Sequence, residues 1–177
     1  MLAQRLLLVA VSLCLLCVLD FIHAESTAAT LLAEPGSTKG FFDEGIHWMG
    51  LKNAREVAAK ESKPICVLIH SQGCGACKNL KSQFQKAGGE RDLVADLAKK
   101  FVMVNLEDDE ANGLTEFEHP AGERYIPRLF FEVNQKTLVD VHGPNAKYPY
   151  FFSTPKQIAD AMEKVLSLTN LGEKAEL

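Results

Sequence analysis

The stretch PICVLIHSQGCGACKNLKSQF, residues 64–84, decides the fold. An apolar run of five residues follows its proline and has the length of a strand that is buried on both faces. Cys77, Leu80 and Phe84 then recur at helical spacing, which predicts that a helix follows the strand. Cys74 falls in the short turn between these two elements. The sequence therefore predicts a Cys-x-x-Cys pair at a strand-to-helix junction.

The rest of the chain extends this alternation of helices and strands. Two buried-type strands alternate with helices, so they are predicted to pair in parallel through right-handed crossovers. A hairpin adds antiparallel strands, and strands without polar alternation need helices on both faces. The sequence thus predicts an α/β fold with a central mixed sheet and helices on both faces. In chain order, the predicted elements are a helix from Leu51 that ends at Pro64, a strand at 65–69, a helix after Cys74, a short helix at 92–100, a strand at 101–106, an acidic loop or poorly ordered helix at 107–118, a hairpin of 129–133 and 137–141 around a three-residue turn, and a helix that begins at Thr154-Pro155-Lys156-Gln157.

Residues 1–24 have the layout of a secretory signal peptide. One positive charge precedes an apolar run at residues 6–19, and Ala24 offers a cleavage point. This run is shorter than the roughly 20 residues that span a bilayer, although an uncleaved membrane anchor stays an alternative. We expect a mature chain without a membrane segment, with a flexible lead-in at residues 25–39 and one domain at residues 40–170.

Cysteine content and charge narrow the class of protein. Cys14 and Cys17 lie in the predicted signal peptide, which leaves three of the five cysteines in the mature chain. A small secreted protein that is held together by disulfides carries more cysteines, so this chain needs a packed core. The formal net charge of −4 and the lack of a basic patch in the sequence argue against nucleic acid as a partner.

The C-terminal residues 171–177 are predicted to form a tail that carries a retrieval signal. Its last four residues, Lys174, Ala175, Glu176 and Leu177, differ at one position from the KDEL sequence that receptors bind to return proteins to the endoplasmic reticulum. We therefore expect a protein of the endoplasmic reticulum lumen that binds a retrieval receptor. Because Ala175 departs from the KDEL sequence, partial secretion is an open alternative.

The predicted position of the two cysteines suits thiol–disulfide exchange. A helix N-terminus supplies partial positive charge and unpaired N–H groups, and both stabilise a thiolate on Cys74. Cys77 lies one turn on, on the apolar face of the helix, so it is predicted to be more buried. Cys74 is the predicted nucleophile and Cys77 the cysteine that resolves the mixed disulfide. Gly75 and Ala76 are small enough for a client backbone to approach both sulfurs.

Two other uses of a Cys-x-x-Cys pair are weighed against redox exchange. A zinc site needs four ligands, whereas Cys66 lies in the predicted core strand and the histidines are scattered, so no metal is predicted. A purely structural disulfide would close a very short loop and stabilise the fold weakly. Cys66 is interpreted as a buried apolar residue, and His70 as a residue that caps the strand end rather than a proton carrier.

Five stretches of the chain form a recognisable set: PICVLIHSQG, CGAC, FVMVNLEDDE, YIPRLFF and the terminal KAEL. Together they resemble the small thioredoxin-like proteins of the endoplasmic reticulum that are related to the anterior gradient proteins, and the resemblance runs from about Gly45 to the C-terminus. It implies a thioredoxin-like fold with Cys74 as nucleophile, in which Ile126 and Pro127 form a cis-proline loop that faces the cysteines. In such proteins this loop offers backbone groups to an extended client peptide. The predicted client-facing residues are Gly75, Ala76, Tyr125, Ile126 and Pro127.

The sequence departs from the usual pattern of thioredoxin-like proteins at three positions. Gly73 stands before the first cysteine, where a tryptophan is usual, so the client-facing surface is expected to be less apolar. Leu68 occupies the position of a buried acid, so the proton relay assigned to that acid is absent or supplied elsewhere. Ala76 replaces the histidine or proline of better-known motifs, and this removes one source of thiolate stabilisation.

These observations predict a lumenal thiol–disulfide oxidoreductase that forms, reduces or rearranges disulfides in client proteins. No bound cofactor is expected, because glutathione or another thiol–disulfide protein serves as redox partner. A client-binding, chaperone-like module without redox turnover is the alternative, as in anterior gradient relatives with serine at the second motif position. The intact Cys77 favours the enzyme.

Overall fold

The computed structural model describes residues 41–42, 45–86, 88–118 and 124–175, with side chains described as far as residue 170. All of them belong to the compact unit Gly36–Leu177. The predicted signal peptide, the predicted lead-in at 25–39 and the last two residues of the predicted retrieval signal lie outside the described residues.

The described residues form five strands and four α-helices, in the order that the sequence predicts and with one additional strand at the start. They are β1 (Trp48–Met49), α1 (Leu51–Glu61), β2 (Ile65–His70), α2 (Gly75–Lys86), α3 (Gly89–Ala98), β3 (Val102–Glu107), a short 3-10 helix (Thr115–Phe117), β4 (Arg128–Val133), β5 (Lys136–Thr137) and α4 (Pro155–Ala175). Among the described residues, no helix is long and apolar enough to cross a membrane.

The strands form one mixed sheet in the order β1-β3-β2-β4-β5. Central β2 pairs in parallel with β3, where Cys66 lies opposite Met103, and antiparallel with β4, where Cys66 lies opposite Phe131. All six residues of β2 are buried, as expected for a strand with sheet neighbours on both edges and helices on both faces. The prediction of a mixed α/β sheet is therefore confirmed.

Two apolar cores lie on the two faces of this sheet. Alternate residues of β2 point to opposite faces, so Cys66 and Leu68 enter one core while Val67 and Ile69 enter the other. The first core is closed by α2, α3 and α4, through residues such as Leu80, Phe84, Val94, Ile158 and Met162. The second is closed by α1, through Ala54 and Ala58. Helices on both faces were predicted and are confirmed.

The predicted start of the last helix is also confirmed. The backbone N–H of Gln157 donates to Oγ1 of Thr154 over 3.3 Å. In return, Oε1 of Gln157 accepts a hydrogen bond of 2.8 Å from the N–H of Ser153. The first bond satisfies a backbone donor that the first turn of a helix leaves unpaired, and the second fixes the residue before the cap to that turn. The helix continues to Ala175 and so takes in the first residues of the predicted tail.

Sequence reasoning misplaced several boundaries. It missed β1, which is only two residues long and pairs with β3 at the sheet edge. The helix predicted from residue 92 begins at Gly89, because a glycine that looks like a breaker can start a helix as well as end one. The segment predicted as a solvated acidic loop has an apolar side, since Ala111 and Phe117 are buried in the second core.

The predicted hairpin is shorter and tighter than expected. Val133 pairs with Lys136 across a turn of two residues rather than three, and β5 ends at Thr137. The two turn residues, Asn134 and Gln135, have positive φ values of 52° and 61°. Positive φ at both central positions is the geometry of a type I′ turn, whose twist matches that of the strands that it joins.

This turn generates a stability prediction. We expect Gln135→Gly to raise the free energy of unfolding by about 0.5–1 kcal/mol, because glycine adopts positive φ without the steric penalty of a Cβ. Urea unfolding followed by circular dichroism measures the effect. Lys136→Gly, one residue further on in β5, is the matched control and should lower stability, because glycine weakens a strand. A lower unfolding midpoint for Gln135→Gly would contradict the turn assignment.

Candidate active site

Cys74 and Cys77 form a disulfide at the carboxyl end of β2, with 5.2 Å between their Cα atoms. The turn between the strand and α2 is closed by the N–H of Cys74, which donates to the carbonyl of Ser71 over 3.2 Å. The carbonyl of Cys74 accepts the first helical hydrogen bond, from the N–H of Lys78 at 3.1 Å. Cys74 therefore occupies the N-cap position directly before α2, at the start of the helix as the sequence predicts.

The two sulfurs have different surroundings. Cys74 is half-buried, and its Sγ accepts a hydrogen bond of 3.0 Å from the backbone N–H of Cys77. Cys77 is only 1 % exposed and packs in the first core with Leu68 and Leu80. The N–H contact and the start of α2 both favour negative charge on the sulfur of Cys74. An approaching molecule reaches this sulfur rather than that of Cys77.

The structure brings the predicted proline loop against this sulfur. The Ile126–Pro127 peptide bond is cis, and the carbonyl oxygen of Ile126 lies 3.6 Å from Sγ of Cys74. Gly75 and Ala76, the two residues that follow Cys74, are exposed, whereas Pro127 is buried. The exposed groups beside the disulfide are therefore those of the first turn of α2, and the half-buried Ile126 lies next to them.

Tyr125 occupies a less open position than its prediction as a client-facing residue implies. Its side chain is half-buried, and its hydroxyl oxygen accepts a hydrogen bond of 2.9 Å from the backbone N–H of Tyr150. Its ring packs edge-on against Tyr148, with 4.9 Å between the ring centroids. These contacts tie the proline loop to the segment before α4, so the polar tip of Tyr125 is directed into the protein.

The three departures from the usual pattern each have a visible consequence. Leu68 is 1 % exposed and places an apolar side chain in the core that contains Cys77. Gly73 is exposed, and open space surrounds the point where its Cβ would be. Ala76 is exposed as well and carries no ionisable group. The disulfide is thus approached across a surface of small side chains.

His70, the last residue of β2, has a partner that the sequence reasoning did not find. It lies opposite Glu107 in the β2–β3 register, with 3.8 Å between its Nδ1 and Oε1 of Glu107. Burial lowers the pKa of His70; Glu107, Glu110 and a hydrogen bond with Asn105 oppose this shift, while the positive charge of Lys81 adds to it. Register alone could have identified Glu107, because both residues end their strands.

Cys66 is an unreactive residue of the core. It is fully buried in β2, and burial raises the pKa of its thiol far above the ordinary value. The interpretation of Cys66 as a buried apolar residue agrees with this position. In the part of the chain that the structure describes, no group of three or more histidine, cysteine or acidic residues could hold a metal ion.

Sequence reasoning missed a charged cluster behind the proline loop. Arg128, directly after the cis-proline, is 3 % exposed. Its guanidinium donates to the carbonyl of Tyr125 over 3.0 Å and to the carboxylate of Asp108 over 3.2 Å. An arginine at the start of the otherwise apolar stretch RLFF was the available signal, because a charge in a buried strand requires a partner.

These features define a class of protein. A mixed sheet with helices on both faces carries a Cys-x-x-Cys disulfide after its central strand, opposite a cis-proline, and this is a thioredoxin-like fold. Residues 47–132 match a family model described as thioredoxin-like. The fold of the described residues is therefore thioredoxin-like, as the resemblance implied.

Two anterior gradient proteins are distant relatives. The chain is 29 % identical over 140 residues to anterior gradient protein 3 of Mus musculus, which covers 74 % of this chain and 77 % of the mouse protein. It is 26 % identical over 153 residues to anterior gradient protein 3 of Xenopus tropicalis, covering 82 % of this chain and 86 % of the frog protein.

Two solved structures that are similar to this chain are described as thioredoxins. One is the solution structure of a thioredoxin from Thermus thermophilus, with a TM-score of 0.48, 18 % identity, and coverage of 70 % of this chain and 88 % of that one. Another is the germline-specific thioredoxin Deadhead of Drosophila melanogaster, with a TM-score of 0.37, 20 % identity, and coverage of 68 % and 88 %.

The exposure of the cysteines predicts their order of alkylation. In the reduced, folded protein we expect iodoacetamide to modify Cys74 first, because its sulfur is the most accessible and its thiolate is stabilised. Cys66 should react only after unfolding in urea, because its thiol is buried and its pKa is raised. Mass spectrometry of the cysteine-containing peptides gives the order, and early labelling of Cys66 would contradict the described core.

The burial of His70 predicts a pH dependence of stability. Its pKa is lower in the folded protein than in the unfolded chain, where histidine titrates near 6.5. The contribution of neutral His70 to the free energy of unfolding is therefore fully present above about pH 6.5, and it is lost as the pH falls towards the folded pKa. We expect the urea midpoint to fall between about pH 7.5 and 5.5, and to fall less in His70→Gln. The matched control is His47→Gln at an exposed position, and equal pH dependence in all three proteins would refute the assignment.

Proposed function

We propose that this protein is a thiol–disulfide oxidoreductase that exchanges disulfides with client proteins through Cys74 and Cys77. One observation carries the proposal. The accessible sulfur of the pair lies at the start of α2, 3.6 Å from the carbonyl of Ile126, while its partner sulfur is buried behind it. This arrangement provides an atom that can be attacked, a leaving group held in place, and a backbone acceptor for an extended client.

The exchange proceeds in two steps when a client is oxidised. A client thiolate attacks Sγ of Cys74, the Cys74–Cys77 bond breaks, and Cys77 leaves as a thiolate that takes up a proton. A second client thiolate then attacks the client sulfur of the mixed disulfide and expels Cys74 as a thiolate. Two electrons pass from the client to the protein, and the reverse sequence reduces a client disulfide.

The surroundings of Cys74 favour the oxidising direction. The N–H of Cys77 and the start of α2 stabilise the thiolate that reduction leaves on Cys74, and they do less for the neutral disulfide. Stabilising the reduced form makes a pair a stronger oxidant. Leu68 and Ala76 supply no ionisable group that would add to this effect. Glutathione or another thiol–disulfide protein is the proposed partner that reoxidises the pair.

We place this activity in the lumen of the endoplasmic reticulum. The proposal rests on the signal-like residues 1–24, on the KAEL ending and on the distant similarity to anterior gradient proteins. The finer assignment, to a protein like thioredoxin domain-containing protein 12, rests on the motif stretches CGAC, FVMVNLEDDE and YIPRLFF. Partial secretion is part of the same proposal, because the ending departs from KDEL at one position.

Cysteine replacements test the proposed chemistry. We expect Cys74→Ser to reduce exchange with a disulfide-containing peptide to the uncatalysed rate, because the attacking sulfur is lost. Cys77→Ser should instead accumulate a mixed disulfide between Cys74 and the peptide, because the resolving sulfur is lost. Non-reducing electrophoresis and mass spectrometry detect the trapped species.

Cys66→Ala is the matched control, because it removes the third sulfur without touching the pair. It should retain the wild-type rate. Wild-type exchange in both active-site variants would refute the oxidoreductase. If those variants also bound client peptide and protected it from aggregation like the wild type, the client-binding module without redox turnover would replace it.

A further inference from the structure

The cis-proline loop, residues 125–127, has a buried cation directly behind it. The side chain of Arg128 is only 4 % exposed. One of its terminal nitrogens donates to the carbonyl of Tyr125 over 3.0 Å, and the other lies 3.2 Å from Oδ1 of Asp108. The planar guanidinium thus joins the backbone of the loop to a carboxylate that belongs to a different part of the chain.

Asp108 is itself fixed to the strand that leads to the cysteines. It comes directly after β3, and its backbone N–H donates to the carbonyl of His70, the last residue of β2, over 2.8 Å. Its other carboxylate oxygen, Oδ2, lies 3.7 Å from the guanidinium of Arg124. Arg124 in turn donates to Oδ1 of Asn112 over 3.0 Å.

A continuous path of contacts therefore joins the two halves of the site. It runs from the end of β2 through Asp108 to Arg128, and from there to the carbonyl of Tyr125. The next residue, Ile126, places its carbonyl oxygen 3.6 Å from Sγ of Cys74. The carbonyl that Arg128 holds therefore belongs to the residue directly before the one whose carbonyl oxygen stands beside Sγ of Cys74.

Stability alone is a weak reason for such a pair. Desolvating the buried guanidinium and the partly buried carboxylate of Asp108 offsets much of their attraction, and an apolar pair of similar volume often stabilises a protein as well. The ion pair instead fixes the relative position of two groups, because arginine can bind two hydrogen-bond acceptors in fixed directions at once. A backbone carbonyl and a carboxylate are held in this way by Arg128.

We propose that the Asp108–Arg128 ion pair positions the cis-proline loop against Cys74 and thereby sets the affinity for peptide clients. This inference rests on the proposed oxidoreductase function. Asp108 and Arg128 are positioning residues, since they act through Tyr125 and Ile126 and contact neither sulfur. A client that pairs its backbone with the loop needs the loop in place, whereas a small disulfide without a peptide backbone does not.

The test compares two disulfide substrates with the full-length protein, which an excess of reduced glutathione returns to the dithiol after each turnover; the rate without protein is subtracted. One is a peptide with a single disulfide, and the other is bis(2-hydroxyethyl) disulfide, which has no peptide group. For Asp108→Asn and Arg128→Lys we expect KM for the peptide to rise about tenfold, the factor that corresponds to roughly 1.4 kcal/mol of lost binding. The kcat for the peptide and the rate with the small disulfide should stay within about twofold of wild type.

Two further variants serve as a milder test of the same contact and as a control for the loss of charge. Arg124→Gln weakens the same carboxylate contact from an exposed position, where folding is not at risk, and should raise the peptide KM about two- to threefold. Asp109→Asn removes an equal charge from the next, exposed residue and should change neither substrate. Urea midpoints confirm that each variant is folded.

The possible outcomes distinguish a failure of the positioning role of Asp108 and Arg128 from a failure of the proposed oxidoreductase function. An unchanged peptide KM in Asp108→Asn and Arg124→Gln overturns the positioning role, and so does an equal loss of rate with both substrates. A wild-type protein that exchanges with neither substrate refutes the oxidoreductase itself. A rise in peptide KM together with a normal rate on the small disulfide supports both.

Discussion

The burial of β2 on both faces is the constraint on which the rest of the structure depends. Six successive buried residues leave no edge or face of this strand open to water, so it needs β3 and β4 beside it and helices above and below. Its carboxyl end is then fixed in the middle of the sheet. The chain can leave only by turning at residues 71–73, and the turn delivers Cys74 to the start of α2.

Local pattern was enough to predict this half of the site. The apolar run, the two cysteines and the spacing of Cys77, Leu80 and Phe84 lie within one strand–turn–helix unit. Their relative positions depend on strand and helix geometry that is the same in every protein. The N-terminal cap of α4 was predictable for the same reason, since Thr154 and Gln157 contact each other within one turn.

The elements that sequence reasoning misjudged are those whose structure is decided by distant contacts. A strand of two residues such as β1 has no period of its own and exists because the edge of β3 accepts it. Phe117 lies in an acidic stretch that was predicted to be solvated because of its charges. It nevertheless packs against Phe130 in the second core. The turn at Asn134 and Gln135 was misjudged because neither residue is glycine, which most often marks this geometry.

The cis-proline loop, the other half of the site, also depends on contacts between residues that are far apart in the sequence. For this reason only the family resemblance indicated it. Ile126 is 52 residues from Cys74 along the chain, and the two meet because Arg128 pairs with Ile69 in the β2–β4 ladder. The ladder fixes the loop only up to Arg128, since Pro127 has no N–H with which to continue it. Beyond that point the backbone depends on side chains: Arg128 holds the carbonyl of Tyr125, and the hydroxyl of Tyr125 accepts the N–H of Tyr150. The buried charge of Arg128 thus lies at the end of β4, where the hydrogen bonds of the sheet stop and side chains have to position the cis-proline loop.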